Sequence, residues 1–469
     1  MINKVKIIAT IGPKTANKVF LKKLEKAGMS IARLNGSHNT LLWHDTTIRL
    51  IQDVLPNIPI LFDIPGKKIR TIQLKHEPKF NKGDKIVLTT DQSFDGSIKV
   101  PVNNLNLHLS LSKNDIILAD DGTLKFTVIN VQNKDIICKA ESSGQLKSAK
   151  GINVPYVNVK GPLITERDRK LISFCKRNKV DFIGISFVES AAHVEKIRKL
   201  IKVQCPRIVA KVENSNGLKN VDEIAQAADV IMIDRGDLST ETDLENLAIY
   251  QKEIIKSASA YSKPVIVATE MLHTMIENPI PTKAEVMDIS NAVIDGASAT
   301  MLSGETAIGK YPTESIKIMK KVSDSIIFNS NKGSNKTIDI PEAIGKSIVQ
   351  LCNMLPITKI ITLTISGYAA RMISSEFPRQ PILAVSNDKM AARSFNILQG
   401  TKGIYVDVKF RKDSLEHVME CLEILWKRKE IKKSDCILIT SLAYPNKGRR
   451  MNNIQTYYVS DLINNLKWK

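Results

Sequence analysis

Six cysteines in 469 residues, at positions 138, 175, 205, 352, 421 and 436, include no C-x-x-C pair. That argues against a zinc ribbon and against a disulfide framework, and leaves reduced, buried thiols as the expectation. The seven histidines are scattered as well, and none has a C-x-x-C pair to complete a zinc site. Any bound metal must therefore be held by oxygen ligands. Aromatic residues make up only 5% of the chain, and no aromatic-interleaved basic patch offers a platform for stacking bases. Long apolar runs are missing too: stretches such as Val230 to Ile233 break off within a few residues, whereas a membrane span needs about 20. The opening MINKVKIIATIG reads as a strand entering a turn, without the longer apolar stretch and small-residue cleavage site of a secretory signal. No membrane partner and a cytosolic location are the expectations.

What is present is length, apolar bulk and positive charge. A chain of 469 residues with 43% hydrophobic content exceeds the roughly 250 residues at which one core stops growing, so two or three domains are expected. The net charge of +20 suits a lysine-rich solvated surface or an attraction for anionic substrates. No nucleic-acid partner is expected.

Through the first two thirds, short apolar, β-branched runs alternate with polar turns and amphipathic segments of helical period. Eight strands are predicted: Val5 to Ile11, Ser30 to Leu34, Ile58 to Phe62, Phe182 to Phe187, Ile208 to Val212, Val230 to Ile233, Pro264 to Ala268 and Ala299 to Leu302. Such alternation implies a parallel sheet, and eight strands imply a closed (β/α)8 TIM barrel. Its first part would span 1–70 and its second 156–328. Between them, 71–155 changes texture to hairpin-like runs such as KIVLTTD and LKFTVINV, which predicts an inserted β-barrel lid domain. NSNKGSNK at 329 to 336 reads as a linker. Beyond it, strands expected at Lys359 to Thr364, Ile382 to Val385, Gly403 to Val406 and Cys436 to Ile439 alternate with helical stretches, so 340–469 reads as a C-terminal open α/β domain.

In barrel enzymes the active site forms at the C-terminal ends of the strands, and the polar clusters sit there: RLNGSH (33 to 38), DIPGKKIR (63 to 70), KVEN (211 to 214), DRGDL (234 to 238), ATEM (268 to 271) and LSGET (302 to 306). Side chains two apart on a strand share a face, so Arg33, Asn35 and Ser37 point together, as do Lys211 with Glu213 and Arg235 with Asp237. Glu213 and Asp237, at one height on neighbouring strands, offer two carboxylates to one Mg²⁺ or Mn²⁺. Lys211 and Arg33 would flank that ion. Two acids, a metal and two fixed cations suit a multiply anionic substrate whose charge shifts during reaction, as in phosphoryl transfer. The bland alternative is a strand-end ion pair between Lys211 and Glu213, with Asp237 capping a helix.

These motifs resemble the pyruvate kinase family in order and spacing from Ile7 to Pro312, through KxEN, RGDL, PVxxATxML, PTxAE and LSGETAxGxYP. The resemblance weakens after residue 340 but still spans the C-terminal part. It implies an enzyme acting on phosphoenolpyruvate and ADP, giving pyruvate and ATP. By similarity, Lys211 neutralises the phosphoryl group in flight, Arg33 contacts its oxygens, and Thr269 sits by the methylene carbon that takes a proton. Glu213 and Asp237 hold the divalent ion, and the backbone at Gly236 and Asp237 receives the substrate carboxylate. Asn35, His38, Arg70 and the lid residue Lys150 match nucleotide positions, and Asp121 matches a lid motif facing the cleft. Asn35, Ser37 and Asp63 match a monovalent-cation site, but DIPGKKIR stands where potassium-dependent members have DTKGPEIR. Lys68 replaces the glutamate, and its ammonium implies activity without potassium.

The chain also departs from the family pattern. Asp234 stands in place of alanine, Ser239 of glycine, Glu270 of glutamine, Lys283 of arginine and Gly36 of phenylalanine. Asp234 and Glu270 either repel the substrate carboxylate or pair with a nearby cation. Ser239 costs about 1 kcal/mol only if its backbone is left-handed. Rival readings follow: an altered substrate or lost activity, a metal-dependent barrel lyase or aldolase acting on a pyruvate enolate, and a basic binding protein. Thr282 and Glu285 form a T-x-x-E capping box for a helix from Lys283 to Asp295 that Gly296 stops. In the family this region lies near a subunit contact, which implies a homotetramer. Ser366 and Gly367 resemble an effector position, beside the basic run Lys447, Arg449 and Arg450.

Overall fold

The computed structural model describes residues 4–326, 340–411, 414–441 and 451–468. The stretch 329 to 336 and the run Lys447, Arg449 and Arg450 lie outside the described residues.

All eight expected runs are strands. Six of them, Lys6–Thr10, Ile60–Ile64, Phe182–Ile185, Val230–Asp234, Val265–Ala268 and Ala299–Leu302, are buried at every position, the pattern of a parallel sheet covered on both faces. Ile31–Asn35 and Arg207–Val212 complete the set. Neighbours pair in parallel around a closed barrel, and Lys6–Thr10 meets Ala299–Leu302 to shut it. The third strand is displaced two residues from the expected Ile58 to Phe62. It begins after Pro59, which has no N–H to give a ladder, and so takes Asp63 into the sheet.

The helices between the strands end where local chemistry dictates. Thr282 and Glu285 exchange both capping-box hydrogen bonds, opening Lys283–Asp295, and Gly296 stops that helix at φ 110°.

The inserted segment forms a seven-stranded curled sheet running from Ile69–Arg70 to Gly151–Asn153 in sequence. Its two edge strands, Ile69–Arg70 and Val100–Pro101, approach each other through a bridge between Thr71 and Val102. The C-terminal part is a five-stranded sheet. Lys359–Leu363, Ile382–Ser386, Thr401–Tyr405 and Cys436–Ser441 were legible as strands, but Asn453–Tyr458, paired antiparallel to Cys436–Ser441, was not.

The hydrophobic core fixes which barrel end is open. Ile8, Ile31, Leu61, Phe182, Val230 and Ile266 inside the barrel share one cluster with Ala370, Phe395 and Ile397 of the C-terminal part. Lys6 Nζ donates to the Thr401 carbonyl at 2.5 Å, and Arg393 Nε to Asp181 Oδ1 at 2.9 Å. Lys6 and Asp181 lie where strands begin, so the C-terminal part seals that end. The lid insertion sits at the other end.

Candidate active site

At the open end, side chains from the strand termini line a cavity of about 340 Å³. Arg33 is gripped by Asp63, with Nε 2.8 Å and Nη2 2.6 Å from Oδ2, while Nη1 donates to Thr10 Oγ1 at 3.1 Å. Lys211 Nζ lies 2.7 Å from Glu213 Oε1, 3.0 Å from Asp234 Oδ2 and 4.0 Å from Asp63 Oδ2, and donates to Ser186 Oγ at 3.1 Å. Lys68 Nζ reaches both oxygens of Asp237, at 2.7 and 2.6 Å. Glu213 Oε2 accepts from the Phe187 N–H at 2.6 Å.

Burial sets the electrostatics, because ions taken out of water depend on each other. Burial works against the Lys211 charge, yet Glu213, Asp234 and Asp63 outweigh it and hold the ammonium well above its usual range. Burial pushes the Glu213 carboxyl above its usual range, opposed by Lys211 and aided by Asp234 and Asp237. For Asp234 burial also opposes the charge, but Lys211 and Lys68 hold its carboxyl well below the usual carboxylate range.

The donor set suits a hard divalent ion. Glu213, Asp234 and Asp237 each offer an oxygen within 4.8 Å of the others'. Glu213 Oε1 is buried and has no partner besides the Lys211 ammonium at 2.7 Å.

Most expected residues converge here: Arg33, Asn35, Ser37, Asp63, Lys68, Arg70, Asp121, Lys211, Gly236, Asp237 and Thr269 all line the cavity. Glu213, His38 and Lys150 do not; Glu213 is fully buried and meets the cavity through its contact with Lys211. Lys150 pairs with Asp120 of the lid at 2.6 Å. Burial, then the charges of Arg70, Arg33, Lys68 and Arg167, keep the His38 imidazole below its usual range.

One geometric expectation fails. Strand alternation does not extend past Asp234, because the sixth strand ends there and Arg235–Glu241 is helical. Arg235 and Asp237 therefore share no strand face. Arg235 turns to Asp288 Oδ1 and the Thr269 carbonyl, each at 2.7 Å, and Asp237 faces the cavity from the first helical turn. The Gly236 N–H is engaged by Thr269 Oγ1 at 2.9 Å.

The departures resolve individually. Asp234 pairs with Lys211. Ser239 is helical, its hydroxyl donating to the Gly236 carbonyl at 2.9 Å, so the left-handed cost does not arise. A side chain at Gly36 would meet the Phe62 ring and the Asp63 carbonyl at 2.6 Å, so Phe62 fills that space. Glu270 is exposed on the cavity wall, and both it and Thr269 hold left-handed backbone, at φ 55° and 68°, a conformation that non-glycine residues adopt at some energetic cost.

Sequence reasoning missed Glu241. Its buried carboxylate accepts from Asn153 Nδ2 at 2.8 Å and the Val154 N–H at 3.3 Å, tying the returning lid strand to the helix that carries Asp237. A glutamate at the end of a seven-residue helix gives no sign of a partner some ninety residues earlier in the chain.

Two family models match: the pyruvate kinase barrel domain over residues 2–316 and the pyruvate kinase alpha/beta domain over 342–455. A pyruvate kinase of Thermococcus litoralis is 38% identical across 93% of this chain and 95% of its own length. One from Bacillus licheniformis is 35% identical across 98% of this chain and 81% of its own. A crystal structure of a pyruvate kinase from Cryptosporidium parvum superposes with a TM-score of 0.87 at 31% identity, covering 97% of this chain and 96% of that one. The lyase and binding-protein readings find no support among these matches.

Proposed function

This chain belongs to the pyruvate kinase family, and from that premise we infer that it moves a phosphoryl group from phosphoenolpyruvate to ADP, giving pyruvate and ATP in glycolysis. The observation that supports this reading is the convergence of Lys211, Glu213 and Asp237, with Lys211 and Asp237 lining one barrel cavity and buried Glu213 in contact with Lys211.

The family implies a divalent metal; Glu213 and Asp237 would hold Mg²⁺ or Mn²⁺, which would supply positive charge to the anionic substrate. Lys211 stays protonated among its carboxylates and presents a fixed charge to the phosphoryl group in transit. Arg33 is held in place by Asp63 and Thr10, so its remaining donors meet phosphoryl oxygens without a search for orientation. Gly236 and Asp237 open a helix and receive the substrate carboxylate, with Thr269 Oγ1 releasing the Gly236 N–H as it arrives. On this reading Thr269 sits beside the methylene carbon. Asn35, His38, Arg70 and Lys150 serve the nucleotide, and Lys150 leaves Asp120 to do so. Asn35, Ser37 and Asp63 form the monovalent-cation position, with the Lys68 ammonium in place of potassium.

A homotetramer is supported by apolar side chains left open on and beside the helix Lys283–Asp295: Ile280, Met287 and Ile294 are 73%, 60% and 62% exposed. Among the described residues no helix is long and apolar enough to cross a membrane, and soluble substrates favour the cytosol.

The direct test is pyruvate release from phosphoenolpyruvate and ADP with Mg²⁺ or Mn²⁺. A folded chain that produced none with either metal would overturn the reading.

A further inference from the structure

Asp234 immediately precedes the helix Arg235–Glu241, at the N-cap position, where aspartate is among the strongest capping residues. It makes no side-chain cap hydrogen bond. Its carboxylate instead turns into the barrel mouth, where the residue is 6% exposed. There it lies 3.0 Å from Lys211 Nζ and within 4.8 Å of oxygens from Glu213 and Asp237.

Three carboxylates so close together in a buried place repel one another and lose their hydration. Two ammoniums answer them: Lys211 lies between Glu213 and Asp234, and Lys68 sits on both oxygens of Asp237. The nearby Arg33 is already matched by Asp63. The three carboxyl groups outnumber the two ammoniums that touch them, and the buried Glu213 Oε1 has no partner but the Lys211 ammonium. A small divalent cation answers both, since oxygen donors from separate elements can converge on it as ammonium groups cannot.

We propose that Asp234 is a third oxygen ligand of the divalent cation, joining Glu213 and Asp237. The cation takes over the carboxylates that Lys211 and Lys68 neutralise, and both ammoniums become available to an anionic substrate. This rests on the pyruvate kinase reading and adds to it, because the family pattern has alanine at this place.

The test is Mn²⁺ binding to the full chain without substrate, followed by electron paramagnetic resonance, for wild type, Asp234→Ala, Asp234→Asn, Glu213→Gln and Asp237→Asn. Asp234→Ala and Asp234→Asn should each weaken Mn²⁺ by about ten- to a hundredfold. Europium luminescence lifetimes in H₂O and D₂O count metal-bound water, and Asp234→Ala should raise that count. Unchanged affinity in both Asp234 variants, alongside weakened Glu213→Gln, would make Asp234 a mere partner of Lys211 and overturn the proposal. Weaker binding with no added water would also overturn it, since Asp234 would then act through its charge alone. If Glu213→Gln and Asp237→Asn bind as the wild type does, the metal site itself is misassigned and the underlying reading fails with it. Asp234→Asn keeps the side-chain shape, so it carries the test should the alanine variant not fold.

Discussion

Lys68 and Asp237 form a two-pronged ion pair, the ammonium lying 2.7 Å from one carboxylate oxygen and 2.6 Å from the other. Asn35, Ser37 and Asp63 line the same cavity, and on the proposed reading the Lys68 ammonium supplies the positive charge that a monovalent cation would otherwise bring. Activity in buffer free of sodium and potassium should therefore be essentially unchanged when potassium is added. Lys68→Glu should lose most activity and regain part of it with potassium. A large potassium rescue of the wild type would sink this account.

Lys211 is charged because three carboxylates hold it so, against burial. Lys211→Met should lower kcat by about a hundred- to a thousandfold, the scale of removing one preorganised transition-state donor. The KM for phosphoenolpyruvate should move much less, since an interaction made mainly in the transition state affects turnover. Steady-state kinetics at saturating Mg²⁺ checks this, with the metal compensating the acids left unpaired. A raised KM at unchanged kcat would assign Lys211 to ground-state binding instead.

The barrel was legible because its strands are short, β-branched and bounded by turn residues, and because Lys211 and Glu213 meet as strand spacing requires. Legibility ended where the period changed. The sixth strand, expected to end at Ile233, ends at Asp234, and strand alternation carried past that end gives Arg235 and Asp237 a shared face that the helix Arg235–Glu241 does not provide. The pairing of Lys68 with Asp237 joins residues 169 apart, and the Glu241 link to the lid is equally non-local. Local pattern carries no information about such contacts, which depend on how the lid returns over the barrel. Asn453–Tyr458, an edge strand of mixed exposure, lacked the apolar run by which the others were recognised.

Glu241 gives a pH signature. Burial, countered by the Asn153 hydrogen bond and aided by Asp237, raises its carboxyl from the usual 4.5 to about 7. The folded chain then keeps a proton that the unfolded chain releases, so stability attributable to this group falls as pH rises from 4.5 toward 7 and stays lost above that. Glu241→Gln removes the ionisation while its amide oxygen can still accept from Asn153. The variant should exceed the wild type by about 2–3 kcal/mol at alkaline pH and match it in mild acid. Urea midpoints measured on both sides of neutrality decide it, and equal destabilisation at both would contradict the sign.

The last prediction concerns an absence that positions Arg33. Gly184 on the fourth barrel strand is the register partner of Asp63 on the third, and a methyl group on it would come within 1.8 Å of Asp63 Oδ1. The Asp63 carboxylate lies over this glycine because no side chain is there, and that placement lets Oδ2 take two contacts from Arg33. Gly184→Ala must push Asp63 aside, at an overpacking cost of about 1–3 kcal/mol, and Arg33 then loses the partner that fixes its direction. Catalysis should fall by more than stability alone explains, with kcat/KM for phosphoenolpyruvate reduced in protein that remains fully folded by circular dichroism. Asp63→Asn tests the same link without steric strain, because the amide keeps the shape but carries no charge to set against the guanidinium. If Gly184→Ala lowered the unfolding midpoint and left kcat/KM at the wild-type value, Arg33 would be oriented by something other than Asp63.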